Sequence, residues 1–298
     1  MGKFSDGRKP ARSFDLFSTY DYYVPGIKGV LMLLLMFVIG VILANIVAAV
    51  LLIAGKETVA DYTEVISYPI MFIPAMIYAA NKSRFNSLFE QPVRMDGNNT
   101  GKLGWGLLVP MVIVATIATN FMTDPLQKLL PPTPEWFEKM MMDMLLGTPL
   151  WVTLLSVSVF APVFEEWLCR GMILRGLLKH VRPVWAMVIS SLIFAVIHMN
   201  PWQALPAFIL GMLFAYVYYR TGSLKLTMLM HCANNTFAAL LSQNERLAEI
   251  ESWTEVMPLP MYAALVAVCI LIVAAFIFIL SRKVPLQEPQ ETEVSPHQ

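Results

Sequence analysis

The sequence predicts an all-α fold, a polytopic membrane helix bundle of about eight transmembrane helices. Three observations carry this. The 298 residues are 57% hydrophobic and only 14% charged, where soluble domains run near 25% charged. Mean hydropathy is +0.61, and several apolar runs approach the ~20 residues that cross a bilayer. Basic residues are also distributed lopsidedly between the connecting segments, as described below.

In chain order, residues 1–26 are polar and basic and lack the apolar core of a cleavable signal, so the first span is expected to be retained. Apolar runs then predict helices over 27–54, 65–80, 104–123, 149–178, 184–200, 202–220, 224–243 and 260–281. The second is short and holds Pro69 and Pro74, and the seventh is weakly hydrophobic. The linker DPLQKLLPPTPEWFEKMMMDMLLG (124–147) is in part Pro-rich and in part amphipathic, which suits a segment lying along the interface. Past Lys283 the tail is rich in Pro and Glu and is expected to be disordered. This divides the chain into a cytoplasmic segment 1–26, N-terminal helices and linker 27–147, a helical core 148–243, a last loop and helix 244–281, and a cytoplasmic tail 282–298.

Placing both termini in the cytoplasm puts sixteen Lys and Arg residues in the inside segments and four outside (Lys56, Lys128, Lys139 and Arg246). Basic residues are retained on the cytoplasmic side. Removing one helix would reverse every later loop and destroy the split. The zero net charge gives no case for a nucleic-acid partner. Cys169, Cys232 and Cys269 all lie in apolar runs, which argues against a disulfide framework.

Mapping the spans picks out a short list of polar residues at depth: Glu165, Glu166 and Arg170 in the fourth helix, His198 in the fifth, and His231, Asn234 and Asn235 in the seventh. Each ion at a helix centre costs about 2.5–3.5 kcal/mol on insertion scales, so such groups signal function. Glu166 and Arg170 stand i, i+4 with Glu first, the favourable order for an ion pair. Glu165 is about 100° further round and has no such partner. A buried carboxylate and an imidazole can hold and deprotonate a water. A second imidazole and an amide can stabilise an oxyanion. The same donors allow another arrangement, in which Glu165, His198 and His231 ligate zinc with a water in the fourth position. Spacing alone does not choose, and no HExxH helix is present. Cys232, next to His231, points elsewhere on a helix and does not make a Cys–His pair.

EEWLCR (165–170), FAVIH (194–198) and HCANN (231–235) resemble the EExxxR, FxxxH and HxxxN motifs of the CAAX-protease and bacteriocin-processing (CPBP, or Abi) intramembrane proteases. The likeness covers about 150–241 and includes FILGMLFAYVYYRTGSL (208–224). Cys169 stands where that family usually has an aromatic residue. The resemblance implies an endopeptidase acting on a membrane-associated or lipidated peptide or protein. In that scheme Glu165 and His198 activate water, His231 and Asn235 stabilise the oxyanion, and Glu166 and Arg170 form a structural ion pair. It implies no firm cofactor, because both zinc-dependent and metal-free mechanisms have been put forward for the family. YYRTGSL is similar to bacterial members, so a bacterial inner membrane is the expected location. The competing readings are an ion-coupled transporter, for which no internal repeat is visible, and a non-catalytic immunity or scaffold protein.

Overall fold

The computed structural model describes residues 17–54, 62–244, 247, 250 and 252–286. Every run that reads as a span is helical, and the described residues contain no strand. The helices are α1 (Ile27–Ala54), α2 (Thr63–Asn86), α3 (Gly104–Gln127), α4 (Glu135–Leu146), α5 (Leu150–Leu177), α6 (Pro183–Val196), α7 (Pro201–Thr221), α8 (Leu224–Ser242) and α9 (Leu259–Lys283). Helices α1, α2, α3, α5, α7 and α9 are long and apolar enough to cross a membrane. The chain is an integral membrane helix bundle.

Several boundaries differ from the sequence expectation. Helix α2 runs to Asn86 but breaks at Met71–Phe72. Pro74 has no N–H to bond the Ile70 carbonyl, so the helix restarts at Ile73 with proline in its first turn. The fifth run, expected over 184–200, ends as a helix at Val196. Asn200 is the N-cap of α7, accepting from the Gln203 N–H at 2.8 Å, and Met199 is left-handed at φ 55°. Linker 124–147 is largely helical, because α3 continues to Gln127 and α4 packs against α5 and α8. The tail expected to be disordered begins ordered: Lys283 closes α9 and Val284 is buried. Residues 1–16 and 287–298, which hold most of the two expected terminal segments, lie outside the described residues, as do Lys56 and Arg246.

The segments expected on one side of the membrane meet at one end of the bundle. The Arg175 guanidinium donates to the carbonyls of Val93 (2.9 Å), Tyr20 (3.0 Å) and Tyr23 (2.7 Å). The Asp96 carboxylate caps α8 through the Leu224 N–H (2.8 Å) and pairs with Lys225 (2.7 Å). Arg220 donates to the carbonyls of Ser281, at 2.7 Å, and Val284. At the opposite end Lys128 donates to Thr254 (2.8 Å), Trp202 to the Pro131 carbonyl (2.9 Å) and Tyr262 to Asp124 (2.6 Å). Segments from the two ends of the bundle thus alternate along the chain. Helix α6, with 14 residues, is only ~21 Å long, shorter than the ~30 Å of hydrocarbon in a bilayer.

Helices α1 and α2 touch backbone to backbone at the break. A Cβ built on Gly40 would sit 1.9 Å from the Met71 carbonyl oxygen. Gly40→Ala is therefore expected to push the helices apart and cost about 1–3 kcal/mol. Gly106→Ala, which meets nothing within 4 Å, is the matched control. Thermal unfolding of both in detergent checks this: equal melting temperatures would refute the close packing.

Candidate active site

The site is built on α5, the most buried span. Two stretches of wider π-type helix, Leu154–Phe160 and Trp167–Leu174, flank the ordinary turns Ala161–Glu166 that carry both glutamates. Such stretches concentrate at functional sites. In the first, the Ala161 N–H reaches five residues back to the Ser156 carbonyl. The next donor in that register is Pro162, which has no N–H. The Val157 carbonyl is thus left to a side chain, and the Asn235 Nδ2–H donates to it at 2.6 Å. In the second stretch the Cys169 carbonyl accepts from the Ser190 hydroxyl at 2.8 Å, which ties α6 to α5.

Glu166 and Arg170 form an ion pair at 2.7 Å, both fully buried. The guanidinium also donates to the Gly211 carbonyl (3.0 Å) and lies 4.3 Å from the Phe194 ring centre. The same Glu166 oxygen accepts from His231 Nδ1 at 3.1 Å. An ionised carboxylate only accepts, so this bond places a proton on Nδ1 and turns Nε2 toward Glu165. His231 Nε2 lies 4.0 Å from Glu165 Oε2. The two glutamates therefore flank one imidazole at its two nitrogens, an arrangement that a simple 100° step along α5 does not convey.

Glu165 is 8% exposed. Its Oε1 accepts from the Tyr68 hydroxyl of α2, while buried Oε2 has no hydrogen-bond partner. The sequence offers no signal for Tyr68: a phenol 97 residues away is neither charged at neutral pH nor part of a motif. His198 sits in the α6–α7 turn, and its Nδ1 donates to the Phe194 carbonyl at 2.8 Å, which leaves Nε2 as an acceptor. The Phe194 ring packs edge-on against both imidazoles, at 5.2 Å from His198 and 5.4 Å from His231. Asn235 accepts from Asn234 (2.9 Å), which in turn accepts from Asn120 (2.9 Å). One Asn235 amide N–H remains beyond its bond to Val157.

Glu165, His198, His231 and Asn235 all line one chamber of about 1400 Å³, whereas Glu166 and Arg170 stand behind its wall. A tetrahedral zinc would set a fixed spacing between its ligands. Two ligands ~2.1 Å from one ion at that geometry would be ~3.4 Å apart, closer than the 4.0 Å between Glu165 and His231. Among the described residues no three His, Cys, Asp or Glu side chains are gathered as a metal would require.

A family model described as type II CAAX prenyl endopeptidase Rce1-like matches residues 147–237. The chain is similar to the Bacillus subtilis protein named "Putative membrane peptidase YdiL", at 28% identity over 100 residues. That alignment covers 34% of this chain and 40% of the relative, so less than half of either protein is compared. No solved structure matches significantly. The matched segment runs from the start of α5 into α8 and contains all three motifs. Over this segment, about a third of the chain, the protein is similar to the type II CAAX prenyl endopeptidase Rce1-like family.

Proposed function

We propose that the chain is an intramembrane endopeptidase that hydrolyses a peptide bond of a membrane-associated substrate with a water activated by Glu165 and His198. The observation that carries this reading is the state of Glu165: a buried carboxylate on the wall of a large chamber, with one oxygen held by Tyr68 and the other unpartnered. Glu165 Oε2 and His198 Nε2 are both acceptors, so together they can accept hydrogen bonds from both hydrogens of one water and leave its lone pair for a carbonyl carbon. Glu165 then accepts a proton as the C–O bond forms, and returns it to the leaving amine as the C–N bond breaks. The oxyanion needs donors. Asn235 supplies its remaining N–H. His231, held at Nδ1 by the Glu166 carboxylate, turns Nε2 toward the chamber and supplies Nε2–H in its doubly protonated form. No step passes through a metal.

The test is cleavage of a peptide library by the detergent-purified protein, read by mass spectrometry. Activity is expected in the wild type and lost in His198→Ala. Stoichiometric zinc, with activity removed by chelation and restored by zinc, would overturn the metal-free mechanism.

Tyr68→Phe tests the support of the base. It removes one hydrogen bond to a charged group, worth about 1.5–3 kcal/mol, so kcat is expected to fall roughly 10–100-fold. KM should hold within about twofold, because the ring still fills its place. An unchanged kcat would show that Tyr68 does not orient Glu165.

A further inference from the structure

The chamber is closed at one end of the bundle and lined at the other. Its wall reaches Lys128, Pro131, Glu138, Met141, Trp202 and Thr254, all at the end away from the basic loops. Among the described residues, none from 17–26, 86–103, 175–182, 220–225 or 281–286 lines it. Between Glu165 and that basic end lie Trp167, Leu168, Met172 and Leu174, with Met95 and Leu224 packed on them, each at most 1% exposed. Arg175, Asp96 and Arg220 close the end beyond this apolar plug. Hydrolysis needs water, and a peptide carries polar backbone that an apolar core of native density does not admit. The short α6 agrees with this, because it turns His198 into the chamber instead of carrying it to the far surface.

We infer that the peptide to be cut reaches Glu165 from the membrane face opposite the basic loops, as an extended segment entering the chamber with α4 as one wall. This rests on the peptidase reading above. Basic loops are retained in the cytoplasm, so the substrates are chains displayed on the outer face of the membrane. A lipidated chain end presented in the cytoplasm does not reach the site. Among the described residues, Glu64, Asp124 and Glu138 line the wall with Lys128 as its one Lys or Arg, which makes a Lys- and Arg-containing peptide the suitable probe.

The experiment uses right-side-out and inverted vesicles from expressing cells. Asn98→Cys at the basic end and Lys139→Cys on α4, each labelled with a membrane-impermeant maleimide, report which end faces the medium. A soluble basic fluorogenic peptide is then added to wild-type vesicles of each kind. Vesicles exposing residue 139 are expected to cleave it at least tenfold faster than vesicles exposing residue 98, and detergent should abolish the difference. Faster cleavage from the residue 98 face, or equal rates before detergent, would overturn the sidedness while leaving the peptidase reading intact. Equal rates would mean entry from the lipid. No cleavage even in detergent would sink the peptidase reading, and the sidedness with it.

Discussion

Glu165→Gln is expected to abolish peptide cleavage, lowering kcat by about 10³-fold, while the protein folds and purifies like the wild type. The substitution preserves shape. The amide oxygen can still accept from the Tyr68 hydroxyl, as Oε1 does now. What disappears is the basicity of the atom that faces the chamber, and general acid–base catalysis is worth about 10²–10⁴-fold. Stability should not fall, because Oε2 makes no hydrogen bond and a buried unpaired charge is a cost. Glu166→Gln is the informative contrast. It keeps an acceptor for both Arg170 and His231 but removes the charge that compensates Arg170, so it should lower stability as well as rate. Single-turnover kinetics and thermal unfolding of the two variants check the assignment. A Glu165→Gln protein that cleaves at the wild-type rate would remove Glu165 from the chemistry.

The helices were legible because each buries or spans with an apolar run, and the Glu166–Arg170 pair was legible because i, i+4 spacing survives at the edge of a π-type stretch. The end of α6 was legible too, but in a different signal. Asn200–Pro201 starts a helix, with an N-cap followed by proline, and so it also stops the one before. Apolar-run counting passes over that pair and extends α6 by four residues. Other parts of the site are not written locally. Tyr68 is set against Glu165 by the packing of α2, which itself depends on Gly40 meeting Met71. The Val157–Asn235 bond follows from a register shift ahead of Pro162, and a period of 3.6 residues hides it. The order of the two glutamates around His231 has the same origin, since it depends on how α8 is seated and not on either helix alone.

Arg170→Met is expected to be among the most destabilising single changes in the chain, by about 3–5 kcal/mol. Arg170 is fully buried, and its loss removes an interaction from four groups. The Glu166 carboxylate loses its counter-ion, the Gly211 carbonyl loses a donor, and the faces of Phe194 and Phe214 lose the cation lying over them. Most of that cost comes from the carboxylate stranded in a low-dielectric interior, not from the attraction itself. The double variant Glu166→Gln with Arg170→Met should therefore recover a large part of the lost stability, although it restores no salt bridge. The glutamine oxygen can still accept from His231 Nδ1, so the ring can keep its orientation. The charge behind the oxyanion donor is nonetheless gone, and kcat should stay low after the fold has recovered. Thermal unfolding and kcat for the two single variants and the double form a thermodynamic cycle that separates these effects. If the double variant were as unstable as the sum of the singles, the coupling between Glu166 and Arg170 would be zero, and a stranded carboxylate would not be the source of the cost.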